Sequence, residues 1–179
     1  METILKELIG NIFDLMLEPE TDGICITTNG MVGADNKAIM GAGTAGHCAR
    51  LFPSVRLTLG KSILEYGNFP FIIGYLDKNN IFKDPDFQVI ENAEHHCLIW
   101  SFPTKNDFRK KSDLELIKTS AKCMMENAMT FKLKNVYIPL PGCGAKTGHN
   151  CVLKTAKRYF KMLLKPKKAS CKHYHLQMD

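Results

Sequence analysis

The chain lacks the cysteine pairings that mark a metal ribbon or a redox centre. Its seven cysteines, Cys25, Cys48, Cys97, Cys123, Cys143, Cys151 and Cys171, include no CxxC pair. Their number is odd, and Cys25 and Cys97 lie inside apolar runs. That pattern points away from a disulfide framework and toward reduced, mostly buried thiols in an intracellular protein. No apolar stretch approaches the roughly 18 residues needed to span a membrane. The opening Met1-Glu2-Thr3-Ile4-Leu5-Lys6-Glu7 lacks the basic start and long apolar core of a signal peptide. A cytoplasmic or nucleocytoplasmic location with no membrane partner is therefore expected. Repeats, low-complexity tracts and linkers are missing too, so the 179 residues are read as one domain, 1–179. No interface pattern stands out, and a monomer is expected.

What is present is an ordinary globular composition, 45% apolar and 23% charged. The formal charge of +6 lies largely in Lys154, Lys157, Arg158, Lys161, Lys165, Lys167, Lys168 and Lys172. Such an excess suits a polyanionic ligand, and it suits a solvated lysine face equally well. Nothing resembles an RNA-recognition motif. Short β-branched or apolar runs at 23–28, 69–76, 94–102 and 134–140 read as buried strands, with a polar hairpin-like piece over 77–86. Between them, helices are expected over 44–52, stopped by Pro53, and over Val55–Tyr66, with Leu57, Ile63 and Leu64 on one side and Gly67-Asn68 as the exit. Ser112-Asp113-Leu114-Glu115 reads as a capping box opening a helix with Ile117, Ala121, Met124 and Ala128 on one face. Asn150 is expected to cap a further helix ended before Pro166, and 172–178 to form an edge strand. The run 3–9 fits strand or helix. Strands alternating with helices predict a three-layer α/β domain.

Two glycine-rich loops occupy matching places, each between a strand and a helix: Gly41-Ala42-Gly43-Thr44-Ala45-Gly46, and Pro141-Gly142-Cys143-Gly144-Ala145-Lys146-Thr147-Gly148. Glycine lets the backbone approach a ligand closely. A helix N-terminus adds unpaired N–H groups and a partial positive charge, so each loop is suited to an anion, and the pair to a diphosphate. The second loop is not a nucleotide-binding P-loop, because Ala145 precedes Lys146 and Leu140 stands where the first glycine belongs. The first matches GxGxxG as a string but lies too far from its strand for a dinucleotide turn. His47-Cys48, His95-His96-Cys97, His149 with Cys151, and His173 with His175 have no recognised metal spacing, so neither a metal nor a cofactor is expected. Lys105, in Ser101-Phe102-Pro103-Thr104-Lys105, follows a strand where α/β sheets present functional groups, and an ordinary exposed lysine is the plain alternative. Asn29 can donate to and accept from a sugar hydroxyl, or simply serve a turn.

Together these residues resemble the macrodomain, the ADP-ribose-binding fold. Gly10-Asn11-Ile12-Phe13 is similar to the family's early Gly-Asp/Asn-Ile/Leu element, and Thr28-Asn29-Gly30 with Met40-Gly41-Ala42-Gly43-Thr44-Ala45 to its Asn plus M-G-x-G loop. Phe102-Pro103-Thr104-Lys105 with Arg109, Ser112 and Leu114 resembles the F-P-T-K-x-x-x-R-x-x-S-x-L run of one branch, and Ile138-Pro139-Leu140-Pro141-Gly142-Cys143-Gly144 its second phosphate loop. That branch includes terminal ADP-ribose–protein glycohydrolases and antitoxins that remove ADP-ribose from DNA. The resemblance implies an α/β/α domain with a mixed central sheet. It implies ADP-ribose held by Asn11, Ile12, Gly41, Ala42, Gly43, Thr44, Ala45, Pro141, Gly142, Cys143, Gly144, Ala145, Lys146 and Thr147. It further implies Lys105 as a reactive amine at the anomeric carbon, with Asn29 beside the distal ribose. The glycohydrolase relatives carry an acid just after Gly-Cys-Gly, where this chain has Ala145, Lys146 and Thr147, and their usual following tryptophan is absent. Hydrolysis of an ADP-ribosyl ester, a nucleobase adduct or ADP-ribose 1″-phosphate is expected. The alternatives are a non-catalytic reader of ADP-ribosylated protein or nucleic acid, and a nucleic-acid-binding domain using the late lysines.

Overall fold

The computed structural model describes residues 10–92 and 94–139. The expected elements at 3–9, after Asn150 and at 172–178, like the second glycine loop, lie outside the described residues. In chain order the elements are α1 (Ile12–Leu15), β1 (Gly23–Asn29), α2 (Gly43–Leu51), α3 (Val55–Tyr66), β2 (Ile72–Asp77), β3 (Phe82–Lys83), α4 (Phe87–Glu91), β4 (His95–Lys105), α5 (Leu114–Thr130) and β5 (Val136–Tyr137). The strands form a five-stranded sheet in the order β3-β2-β4-β1-β5. β4, β1 and β5 run parallel, and β2 runs antiparallel to both of its neighbours.

β1 and β4 take the centre because both of their faces are apolar, as a parallel strand covered on each side requires. Ile24 and Ile26 join Phe13, Cys48, Val55, Leu59 and Ile63 in one core. Cys25 joins Leu98, Trp100, Phe102, Ile117, Ala121 and Met124 in the other. Hence α1, α2 and α3 cover one face, α4 and α5 cover the opposite face, and the layers are α/β/α around a mixed sheet.

The local elements depart from the sequence reading in instructive ways. α3 has the expected ends, but it buries Val55, Leu59, Gly60 and Ile63. Leu57 is 38% and Leu64 60% exposed, so the apolar stripe is the i, i+4, i+8 row rather than the Leu57–Leu64 side. α5 is capped by Asp113, not Ser112. The Asp113 carboxylate accepts from the backbone N–H groups of Glu115 and Leu116 at 2.9 and 3.2 Å, which places the helix start one residue later than a Ser112 cap would. α1 and α4 are single-turn helices, capped by Asn11 and Asp86, that no 3.6-residue periodicity announces.

The most consequential difference is the length of β4, which passes through Pro103 instead of ending at Phe102. A proline removes one ladder donor and is confined to places where none is needed. Donors along β4 alternate in direction. Leu98 N–H reaches Asp22 O beside β1, whereas Ser101 N–H reaches Phe71 O on the β2 side. Position 103 shares the direction of Ser101. β2 begins at Ile72, opposite Trp100, so among the described residues no strand lies beside Pro103 on that side to need its missing donor.

Gly60 is where α3 meets the loop after β1. A Cβ there would lie 2.0 Å from Asn36 O and 2.8 Å from Ala38 N. Both obstacles are backbone, so they cannot swing aside. Gly60→Ala is expected to lower the unfolding free energy by about 1–3 kcal/mol through overpacking, measured in a urea titration. Unchanged stability would mean that α3 is not seated on that loop.

Candidate functional site

The parallel strands end together. Asn29, the last residue of β1, pairs in register with Lys105, the last of β4, after an irregularity at Thr28/Asn29. Their backbones are tied by Gly30 N–H donating to Lys105 O at 3.2 Å. Asn68 Nδ2 donates to the same carbonyl at 3.1 Å and to Asn106 Oδ1 at 2.9 Å. Just below, Thr104 Oγ1 donates to Thr28 O at 3.2 Å, Asp113 N–H to Thr104 O at 2.8 Å, and Ser120 Oγ to Pro103 O at 2.8 Å. Phe102 is fully buried. Lys105 therefore stands on a backbone held from both sides, and its side chain is half-buried.

From Gly30 the chain makes an outward excursion and returns to the first glycine loop. Gly33 N–H donates to Lys37 O at 2.9 Å, Val32 bridges Ala38, and Asn36 adopts a φ of 58°. The Asn29 amide closes the base of this excursion. Its Nδ2 donates to Ile39 O at 2.8 Å and its Oδ1 accepts from Met31 N–H at 2.9 Å. Among the described residues one amide hydrogen and one lone pair are left uncommitted. The turn role and the ligand-facing role considered for Asn29 are thus compatible, the first using half of its capacity.

The glycines of this loop have different physical reasons. Gly46 sits inside α2, where a Cβ would lie 2.9 Å from the Gly41 carbonyl carbon, so it permits the loop's own start to pack on the helix. Gly43 has a φ of +59°, a left-handed position that favours glycine. Gly41 is neither left-handed nor crowded by the described residues, none of which lies within 4 Å of an added Cβ. Among the described residues nothing requires a glycine at 41, as expected of a surface left free for approach. Gly41, Ala42 and Gly43 are all exposed. The N-cap of α2 is Ala42, which has no side chain to accept a hydrogen bond, so the first-turn N–H groups receive no side-chain cap. Together with the helix dipole they form a donor array suited to an anion. Thr44 Oγ1, 2.9 Å from Thr27 Oγ1, fastens the start of α2 to β1.

Asn11 caps α1, accepting from Phe13 N–H at 3.2 Å and donating to Asp14 Oδ1 at 3.2 Å, while Ile12 is buried beneath it. The Phe13 ring packs against His47 of α2, their centroids 4.5 Å apart, which brings α1 to the same helix as the glycine loop. Pro141, Gly142, Cys143, Gly144, Ala145, Lys146 and Thr147 lie outside the described residues. In sequence they follow β5, the neighbour of β1.

Two features escaped the sequence reading. In sequence Asn68 signals only a helix exit, and its long-range bond to Lys105 O has no local signature. Arg109 was noted as part of a run of residues, but its role is visible only in the fold. Its Nε and Nη2 grip Asp107 at 3.0 and 2.7 Å, and these hydrogen bonds hold the Asp107 carboxyl down at about 2.

Several other reactive groups among the described residues are buried or hydrogen-bonded. Burial pushes the thiols of Cys48 and Cys97 up to about 12, and that of Cys25 higher still, which leaves them inert. His96 spans Asn80 Oδ1 and Glu18 O, and burial lowers His95. Among the described residues no group of three His, Cys, Asp or Glu side chains is placed to hold a metal ion, and no helix is long and apolar enough to cross a membrane.

No protein-family model matches the chain. The macrodomain of Thermus aquaticus DarG superposes with a TM-score of 0.57 at 20% identity, covering 89% of each chain. The macrodomain of Mycobacterium tuberculosis DarG gives 0.58 at 18% identity, over 84% of this chain and 85% of that one. Thermosipho africanus DarTG in complex with ADP-ribose gives 0.57 at 20% identity, over 82% of this chain and 36% of that one. The fold is that of a macrodomain. In sequence, the chain is 25% identical over 117 residues to a DNA ADP-ribosyl transferase–DNA ADP-ribosyl glycohydrolase fusion protein of Thermosipho africanus. That match takes in 63% of this chain and 30% of the relative's length.

The Asp107–Arg109 pair has a defined pH window. The folded carboxyl titrates near 2, below an ordinary aspartate of about 3.9. Its contribution to stability is therefore complete above about pH 4 and lost as pH falls through about 2. In Arg109→Gln the carboxyl should titrate nearer the ordinary value, read from its carbon shift by NMR. An unmoved titration would break the assignment of the shift to Arg109.

Proposed function

We propose that the chain binds ADP-ribose across the carboxyl ends of β1 and β4 and hydrolyses an ADP-ribosyl bond. The supporting observation is the conjunction at one sheet end of a half-buried lysine, register-paired with Asn29, and an uncapped helix N-terminus behind Gly41 and Gly43. A diphosphate at the first-turn N–H groups of α2 would be neutralised by the helix dipole. The second glycine loop, following the adjacent strand β5, would supply Gly142, Cys143, Gly144, Ala145, Lys146 and Thr147 to the other side. Asn11 and Ile12, packed on α2 through Phe13, are assigned to the adenine end.

At the opposite end Lys105 acts as nucleophile. The lone pair of unprotonated Nζ forms a bond to the anomeric carbon, while the bond from that carbon to the leaving group breaks. The leaving group keeps the electron pair and takes the proton that the amine releases. Water then replaces the amine on the same carbon, giving free ADP-ribose and regenerating lysine. The remaining Asn29 amide hydrogen orients the distal ribose. Among the substrates considered, an ADP-ribosyl adduct of a nucleobase is favoured, because the fusion protein similar in sequence is named for DNA ADP-ribosyl glycohydrolysis. An intracellular, soluble, monomeric protein needing no cofactor is consistent with this chemistry. A second reading, a non-catalytic reader, is supported by the acid–base groups: Asp107 is locked on Arg109, and no carboxylate stands among Ala145, Lys146 and Thr147.

Calorimetry should find ADP-ribose binding in the micromolar range and AMP far weaker, because AMP lacks the diphosphate and distal ribose. Gly41→Ala, which meets no steric obstacle among the described residues, should retain stability within about 0.5 kcal/mol yet weaken ADP-ribose binding. Equal affinities for the two ligands, or normal binding by Gly41→Ala, would remove the first loop from the site.

Lys105→Ala should lower turnover of an ADP-ribosylated substrate by at least about 100-fold, with less than a tenfold change in ADP-ribose affinity. A transition-state role appears in kcat rather than in ground-state binding. Borohydride added during turnover should trap a Lys105 adduct, and none should form in Lys105→Ala. A chain that binds ADP-ribose but cleaves no ester, nucleobase or 1″-phosphate linkage is a reader.

A further inference from the structure

We propose that Phe108 and Arg109 form a docking platform for a nucleobase and its phosphodiester, so that the macromolecule presented to Lys105 is a single-stranded nucleic acid. This rests on the reading of the ADP-ribose site above. The platform occupies the loop leaving β4. Phe108 is 48% exposed although a large apolar ring gains from burial. The Arg109 guanidinium carbon lies 5.6 Å from the centre of that ring. The guanidinium is held in place by Asp107, which takes Nε and one edge of Nη2. Its side chain is nevertheless 67% exposed, which leaves outward N–H donors for an oxygen acceptor.

Its place relative to the reacting end is set by short links. Arg109 Nη2 lies 4.0 Å from Met31 Sδ, and Met31 N–H donates to Asn29 Oδ1. Asn29 is the register partner of Lys105. The ring and its cation therefore adjoin the strand ends where the anomeric carbon is assigned. Exposed Lys110 and Lys111 follow directly, so the rim carries positive charge beyond the neutralised Asp107–Arg109 pair. A flat ring gives a base a stacking face, and an immobilised guanidinium beside it gives its phosphate a partner. An acidic peptide would use the cations and leave the ring without a role, which is why nucleic acid is favoured.

The test uses the full chain with Phe108→Ala, Phe108→Trp and Arg109→Gln. The probes are free ADP-ribose, an unmodified single-stranded oligonucleotide, an ADP-ribosylated oligonucleotide and an ADP-ribosylated peptide. Phe108→Ala should weaken oligonucleotide binding and lower kcat/KM on the modified oligonucleotide about tenfold, and Phe108→Trp should restore both. Arg109→Gln should reduce the slope of log affinity against log salt by about 0.7, the loss of one single-strand phosphate contact. Both variants should bind free ADP-ribose as the wild type does and treat the modified peptide unchanged. Wild-type handling of the oligonucleotides by Phe108→Ala and Arg109→Gln would overturn the platform, as would an equal loss on the peptide. Failure of the wild type to bind ADP-ribose would refute the proposed function instead. In that case, unmodified oligonucleotide binding that depends on Phe108 and Arg109 would still support the platform.

Discussion

The parallel pairing of β1 with β4 is the constraint on which the other features rest. It runs from Gly23 opposite Leu98 to Asn29 opposite Lys105 and lies at the centre of the sheet. Because both strands are buried on both faces, a slip of register would turn apolar side chains of each core toward the wrong layer. The same pairing decides which residues meet at the sheet end. Asn29 and Lys105 are 76 positions apart in sequence, yet their backbones are joined by the hydrogen bond from Gly30. α2 begins beside them because Thr44 is bonded to Thr27. The site is thus a by-product of core packing more than of any local loop conformation.

A good share of this was legible in the sequence. The glycine loop, the helix ends at Pro53 and Gly67, and the buried runs of β1 and β4 all carry local chemical signals. What failed did so for identifiable reasons. Val55, Leu59 and Ile63 compete with Leu57 and Leu64 for the inner face of α3, and only the sheet beneath decides between them. Ser112 and Asp113 are both good cap residues, and Asp113 holds the position because its own N–H is taken by Thr104 O at the end of β4. α1 and α4 are too short to show a period.

The candidate site divides along the same line. Lys105 and the glycines stand out in the sequence because each is informative alone. Asn29 was visible as a polar residue ending a strand, but its bonds to Met31 and Ile39 depend on how the excursion over 30–40 returns. Asn68 carries a contact made across long sequence separation, for which neighbouring residues give no hint. The grip of Arg109 on Asp107 is local, yet the ring it rests near and the Met31 it touches are known only from the folded loop.

The passage of β4 through Pro103 has a consequence for assembly. Beyond the start of β2, the last stretch of β4 is flanked by the irregular segment 68–71 instead of a strand, an edge that a foreign strand could compete for. Pro103 withholds the donor that such a visitor would need, and Asn68 already occupies the acceptor at Lys105. The flank beside Lys105 is thereby a poor site for strand addition. The sheet end that carries the candidate site can stay accessible while remaining a poor template for another copy of itself.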